Sequence, residues 1–336
     1  MKTAVISGIT GQDGTLLADL LLKKGYQIIG LMPDHRESSI QRLIYLGIER
    51  KIQLVRINLF SELEISGLLI KHEVSEFYNL AALSSVGNSF REPTQTFEFN
   101  SLSVLNILES IRKVSPSTRF YQASSSEMFG NVGKASLPIQ ESFLFHPASP
   151  YGISKASAHW LTVNYREAFK LQTCCGILFN HESALRPNHF VVKKIIRTAL
   201  LIQRGDAKIL TLGNISIVRD WGYAPFYVDA MWRMMQQDEL DDYLICSGNP
   251  ISLHNLVKLV FEQLHLDMER YVKIDNTLLR SLDLEIIYGD NSKAKKELQW
   301  AYTLTPELLV KQLIMDETTL LTWESNSGNQ IGRAHV

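Results

Sequence analysis

Tyr151 and Lys155, spaced YxxxK, are the residues in this chain best suited by type and spacing to move a proton. Pro150 precedes them, and proline favours the first position of a helix. The spacing therefore predicts a pair one turn apart on one helix face. An ammonium beside a phenol favours the phenolate and lowers its pKa toward working pH, as a general base requires. The same ammonium can hold a ribose. YxxxK also describes an ordinary surface Tyr–Lys pair, so the motif needs support. It comes from Tyr121-Gln122-Ala123-Ser124-Ser125-Ser126-Glu127, where an apolar strand ends in three serines and a glutamate. In an open α/β sheet, ligands bind at the carboxyl ends of the strands. The serine run equally fits a polar loop with a helix cap.

A third signal lies at the N-terminus. Gly8, Gly11 and Gly14 sit in SGITGQDG, after the first strand-like run and at the mouth of the first helical one. Glycine serves there for a tight turn, for close approach to a pyrophosphate and for helix–strand packing. The helix N-terminus adds unpaired N–H groups and partial positive charge. After the second strand, an acid would bond the adenosine ribose hydroxyls and an arginine would accept a 2′-phosphate. Asp34 argues for NAD; Arg36, Ser38 and Ser39 argue for NADP. Asn58, after the third strand, can bond adenine or cap the next turn.

In this order, the glycine turn, the serine-rich strand end and YxxxK point to a short-chain dehydrogenase/reductase. The chain resembles the GDP-mannose 4,6-dehydratases within that group. The likeness is carried by ITGQDG (9–14), YNLAALSSV (78–86), FYQASSSEMFG (120–130), SPYGISK (149–155), VNYREAF (163–169), GILFNHES (176–183), RDWGYAPFYVDAMW (219–232) and GDNSKAKKELQW (289–300). It implies oxidation of a sugar at carbon 4 by NADP, loss of water across carbons 5 and 6, and return of the hydride to carbon 6. Tyr151 would take the 4-hydroxyl proton with Lys155 beside it. Glu127 would take the carbon-5 proton and, with Ser125, assist water out. A carboxylate near a hydroxyl can act first as base and then as acid. The resemblance further assigns Gly8, Gly11, Gln12, Asp13, Gly14, Asp34, Arg36, Asn58, Leu59, Leu80, Ala81, Ala82 and His181 to the cofactor. To the nucleotide sugar it assigns Ser85, Asn180, Lys193, Arg219, Arg280 and Asp283. No metal is implied.

The chain also departs from the family pattern. Pro33-Asp34-His35-Arg36 stands where the family usually has an arginine pair, which keeps NAD possible. Ala184-Leu185-Arg186-Pro187-Asn188-His189 replaces a proline–arginine–arginine–glycine run. Leu83 and Ser85 replace a glutamine and a histidine, and Ser125 replaces a threonine. These changes loosen the sugar assignment, so a GDP-heptose is an alternative. A related epimerase or reductase, or a catalytically inert cofactor binder, are the competing readings; retention of Glu127 opposes the first, and of all four catalytic residues the second.

The elements that must hold these residues alternate. Strands are expected at Thr3–Ser7, Gln27–Leu31, Ile52–Ile57, Phe77–Leu80 and Arg119–Ala123. Helices are expected at Gln12–Lys24, Thr96–Val114 and Pro150–Lys170. Such alternation predicts an α/β fold, a doubly wound parallel sheet of Rossmann type, with a smaller mixed α/β C-terminal substrate lobe. The second half of the chain should hold strands Cys174–Phe179 and Lys208–Leu212 and helices Phe190–Arg204, Tyr227–Gln236, Leu253–Leu264 and Pro306–Thr322. The expected division is 1–175 for the dinucleotide, with parts of 176–250 returning to it, 176–322 mainly for the nucleotide sugar, and a frayed tail over 324–336. The chain has 336 residues, 34 basic and 35 acidic, with 45 % hydrophobic. That near-neutral balance argues against a non-specific nucleic-acid binder. Three cysteines, two of them adjacent, make no disulfide framework or metal spacing and suit a reducing cytoplasm. No apolar run reaches a membrane span. A homodimer or homotetramer is expected.

Overall fold

Thr3–Ser7 is buried at every position, as a strand covered on both faces must be. The computed structural model describes residues 1–33, 39–278, 284–328 and 331. That first strand, β1, is followed by β2 (Gln27–Pro33), β3 (Gln53–Ile57), β4 (Glu76–Asn79), β5 (Arg119–Ser125) and β6 (Thr173–Leu178). With β10 (Tyr243–Ile245) they form one parallel seven-stranded sheet in the order β10-β6-β5-β4-β1-β2-β3. The chain runs outward from β1 to β3, then crosses back to β4. The strand order therefore reverses between β1 and β4, and a crevice opens at their carboxyl ends. The doubly wound sheet read from the sequence is the one present.

A polar chain crosses the middle of this sheet. The Ser7 hydroxyl donates to Asn79 Oδ1 at 2.6 Å, and Asn79 Nδ2 donates to Gln122 Oε1 at 2.8 Å. It links β1, β4 and β5 directly beneath the crevice.

The expected single helix Thr96–Val114 is three pieces: Pro93–Phe97, a π-turn over Glu98–Leu102, and Ser103–Val114. The turn accommodates Asn100, which is buried and bonded to two neighbouring segments. Helix Pro150–Phe169 begins where expected, with Ser149 as its cap accepting the Gly152 N–H at 3.0 Å.

The second lobe is built around β9 (Val218–Tyr223), which pairs with β7 (Asn180–Glu182) and β13 (Ile286–Ile287) in parallel and with β11 (Pro250–Ser252) antiparallel. A separate pair joins β8 (Leu210–Leu212) to β12 (Val272–Ile274). Helices Val191–Arg204, Leu253–Gln263 and Pro306–Ser327 bury Ile195, Ile196, Val257, Val260, Leu309 and Leu313 against one another. The last helix corrects the expected tail. It runs to Ser327, because Glu324 is buried and paired with Arg197 at 2.5 Å. The Ile331 side chain packs against Ala184, Leu185 and Leu320, with its N–H donated to Glu324 at 2.7 Å. Among the described residues, no helix is long and apolar enough to cross a membrane.

Candidate active site

At the switch point lies a cleft of about 1430 Å³, lined from both lobes. Its floor is the glycine turn. Gly8 has φ +73°, and a Cβ on it would stand 2.9 Å from the Ala81 nitrogen. A Cβ on Gly14 would stand 2.2 Å from the Gly8 carbonyl oxygen. Backbone therefore meets backbone here with no room for side chains, and Gly11 to Gly14 line the cleft with the first helical turn. The N–H groups of that turn have no partner within the helix. Leu80 and Ala81 are held to this floor by N–H bonds to the Ser7 hydroxyl at 3.1 and 3.2 Å. Leu59 and Ala82 continue the wall. Asn58 lines it too, but its side chain caps the following turn, accepting the Phe60 N–H at 3.0 Å.

Gln12, Asp13 and His181 join the lobes. His181 Nε2 lies 2.9 Å from Asp13, its ring stacks on Tyr227, and Gln12 bonds the His181 carbonyl at 3.2 Å and the Ser183 hydroxyl at 2.9 Å. Burial alone would raise the Asp13 pKa; the charge and hydrogen bond of His181 outweigh it and bring it down to about 2.

Above this floor stand Ser125, Glu127, Tyr151 and Lys155, all lining the cleft. Ser125 Oγ accepts the Glu127 N–H at 3.3 Å. A Cβ on Gly152 would be 2.7 Å from the Glu127 carbonyl oxygen, so the short 3-10 turn bearing Glu127 rests directly on the start of the Tyr151 helix. The expected electrostatics need correction. Burial drives the Tyr151 pKa up to about 12, although a Ser125 hydrogen bond and the Arg186 charge oppose the rise. Lys155 is brought down to about 8 by burial, against the pull of Asp13 and Cys175. Its Nζ donates to the Ala123 carbonyl at 2.8 Å and lies 6.0 Å from the Tyr151 ring centroid. Desolvation, invisible in a spacing pattern, outweighs the lysine. The set still comprises a phenol, a hydroxyl, a carboxylate and an amine around one cavity, which suits acid–base work on a bound alcohol.

On the second lobe Asn180 and Arg219 line the cleft, and Arg219 is braced on the Val218 carbonyl at 2.9 Å. Ser85 lines it while capping Asn88 at 3.2 Å. Lys193 does not face the cleft. It is buried, donating to the Ala184 carbonyl and paired with Glu317. The neighbouring Lys194 lines the cleft instead, since one residue turns a helix by about 100°. Asp34, Arg36, Arg280 and Asp283 lie outside the described residues.

Two site residues escaped the sequence reading. Asn100 accepts the Leu83 N–H at 2.8 Å and donates to Ser154 at 3.0 Å, tying the cleft wall to the Tyr151 helix. Nothing but a polar residue amid a helical pattern signals it. Arg186 lines the cleft with its guanidinium 3.9 Å from the Phe190 ring centroid and 3.6 Å from Glu182. In the sequence, its loop is distinguished only by its departure from the family pattern. Among the described residues one grouping has metal-ligating types, His159, Cys175 and Asp242. Both Asp242 oxygens are already bonded by Arg166, at 2.9 and 2.6 Å.

The family model described as GDP-mannose 4,6 dehydratase matches residues 5–313. The chain belongs to the GDP-mannose 4,6-dehydratase family. Among curated members of the GDP-mannose 4,6-dehydratase family, GDP-mannose 4,6 dehydratase 2 of Arabidopsis thaliana is 39 % identical over 331 residues, covering 95 % of this chain and 87 % of its own. GDP-mannose 4,6-dehydratase of Vibrio cholerae is 35 % identical, covering 94 % and 93 %. Solved structures share the fold: dTDP-glucose 4,6-dehydratase from Bacillus anthracis in complex with NAD has a TM-score of 0.84 at 18 % identity, covering 96 % of this chain and 98 % of that one. RMD from Pseudomonas aeruginosa complexed with NADPH has 0.80 at 21 %, covering 95 % and 100 %.

Proposed function

We propose that the chain catalyses 4,6-dehydration of a nucleotide-diphosphate hexose, GDP-mannose or a close GDP-sugar, with a nicotinamide dinucleotide bound across the switch point. Family membership supports this reading, and so does the cleft. The single observation that carries it is the presence of Glu127 in the same cavity as Ser125, Tyr151 and Lys155. Oxidation alone needs no carboxylate; elimination of water does.

The residues present fit the dinucleotide, because the side-chain-free turn at Gly8 and Gly14 leaves a backbone cradle beside first-turn N–H groups. When bound there, the dinucleotide supplies a reversible hydride acceptor, so carbon 4 can be oxidised and carbon 6 later reduced without net redox change. Gly8, Gly11 and Gly14 hold its phosphates. Tyr151, once its own phenolic proton has passed to solvent, accepts the proton of the 4-hydroxyl, with Ser125 bonded to the same oxygen. A ketone at carbon 4 acidifies the carbon-5 proton, and Glu127 takes it. The protonated Glu127 then delivers that proton to the 6-hydroxyl, which leaves as water, and the proton held by Tyr151 goes to carbon 5 as carbon 6 is reduced. Asn180 and Arg219 receive the diphosphate from the second lobe, where guanidinium suits phosphate. Residues 1–175, with β10 returned to their sheet, then serve the dinucleotide, and 176–322 mainly the sugar nucleotide.

The test is incubation with GDP-mannose, and separately with a GDP-heptose, plus catalytic NADP or NAD, followed by mass analysis. Loss of 18 mass units without accumulating reduced cofactor is expected for one of them. Stoichiometric cofactor reduction, or an isomer of unchanged mass, would overturn the dehydratase reading.

A further inference from the structure

β5 ends in a segment that carries two of the reacting groups, Ser125 and Glu127, and three contacts tie that segment to the helix Pro150–Phe169. Lys155 Nζ holds the Ala123 carbonyl at 2.8 Å, and Gly152 lies directly against the Glu127 carbonyl. Between these two, the Ser124 hydroxyl lies 3.1 Å from His159 Nδ1. Lys155 and His159 stand four residues apart on one helix face, and each is 4 % exposed. The proposed reaction uses Lys155 and leaves His159 without a role.

The surroundings of His159 orient its ring. Phe145 and Trp160 meet it edge to face, with centroids at 4.9 and 5.5 Å. Asp242 Oδ2 lies 4.0 Å from Nε2. Asp242 is itself held, by two bonds from Arg166 and by the Cys175 N–H at 2.7 Å. A carboxylate on that side favours the tautomer protonated at Nε2, which leaves Nδ1 to accept from the Ser124 hydroxyl. Burial keeps the imidazole below its ordinary pKa, against the pull of Asp242, so the ring stays neutral and Nδ1 keeps its lone pair.

We infer that His159 is a positioning residue: through the Ser124 hydroxyl it aligns the Ser125–Glu127 segment with the Tyr151 helix, and elimination of water depends on it most. This inference rests on the dehydratase reading. Tyr151 and Lys155 depend on it less, because their helix has its own anchors in the Ser149 cap and the Asn100–Ser154 bond. Glu127 sits in a short 3-10 turn, Ser126–Met128, that inherits the alignment of the strand end. A misplacement of about 1 Å at a reacting group can cost about 10² in rate.

Single turnovers of the full chain with GDP-mannose, and separately with a GDP-heptose, plus stoichiometric NADP or NAD test it. Absorbance of the reduced nicotinamide reports oxidation at carbon 4, and mass analysis reports loss of water. In His159→Phe, oxidation should change by less than about threefold while water loss slows at least about tenfold, so that reduced cofactor and a 4-keto sugar retaining its 6-hydroxyl accumulate. Ser124→Ala should give the same partition, and the double variant should be no slower than either single one, because both changes remove one contact. His159→Asn keeps an oxygen where Nδ1 stood and should recover most of the lost rate. Equal slowing of both steps, a fall in Tm with the partition unchanged, or additive defects in the double variant would overturn the role of His159. Where His159→Phe does not fold, Ser124→Ala decides by the same partition. If the unsubstituted protein removes water from neither sugar, the dehydratase reading fails; if it does so and the variants partition normally, only the role of His159 fails.

Discussion

Replacing Lys193 with methionine separates two roles that the sequence alone confuses. As a substrate ligand, Lys193 would set affinity for the nucleotide sugar and contribute little to stability. The structure instead buries it against Glu317, where burial pulls its pKa down and the Glu317 charge opposes that shift. Removing one partner of a buried pair typically costs about 3–5 kcal/mol, because the remaining charge is left uncompensated. Here Arg197 remains 3.1 Å from Glu317, so the low end, about 3 kcal/mol, is expected. A chain of 336 residues unfolds with an entropy near 0.7 kcal/mol/K, so Tm should fall by about 4 °C. KM for the sugar nucleotide should stay within about twofold, because no substrate contact is lost. Lys193→Met with Glu317→Met removes both charges and should restore most of the loss, since a buried pair replaced by apolar groups is often neutral. Calorimetric melts and initial rates on the same preparations measure both quantities. A KM raised about tenfold with Tm unchanged would refute the burial argument and return Lys193 to the substrate site.

Tyr151→Phe should cut turnover by about 10²–10⁴ at unchanged Tm, measured by product formation; normal turnover would exclude the phenol as proton acceptor. Glu127→Gln should preserve oxidation at carbon 4 and slow water loss by a similar factor, so mass spectra should lack the 4-keto-6-deoxy product. Asp13 gives a pH signature. Its folded pKa, about 2, lies below the ordinary 3.8, so its contribution is present above pH 4 and is lost as pH falls through 2. That contribution is about 2 kcal/mol, of which about 1 is gone by pH 3. Urea melts should show the unsubstituted protein losing that much more than Asp13→Asn between pH 7 and pH 3; parallel losses would contradict the assignment.

Much of the sheet is readable because each of its first six strands is an apolar run bounded by helical periodicity. The second lobe is harder. β7, β8, β11 and β12 have three residues each, too short to display alternation. The site divides the same way. The glycine turn, Ser125, Glu127, Tyr151 and Lys155 sit at fixed offsets within local motifs, and the fold brings them into one cleft. Lys193, assigned by resemblance alone, lies one residue from the cleft-lining Lys194, because likeness locates a helix but leaves its rotation open. The Tyr151 pKa departs from the expectation set by spacing because burial depends on the whole surrounding fold, whereas spacing describes only a neighbour. Asn100 acts through distant Leu83 and Ser154, a relation no local pattern displays.

The chain of polar groups from Ser7 through Asn79 to Gln122 gives the sheet a means of proofreading itself. Apolar strands of similar composition can slide past one another at small cost, but an amide stranded in the interior forfeits about 1–3 kcal/mol. The native alignment of β1, β4 and β5 satisfies the hydroxyl and both amides together. Because the mouths of these three strands carry the glycine turn, the cleft wall and Ser125, a mispaired sheet would be penalised at the very place where misalignment would scatter the reacting groups.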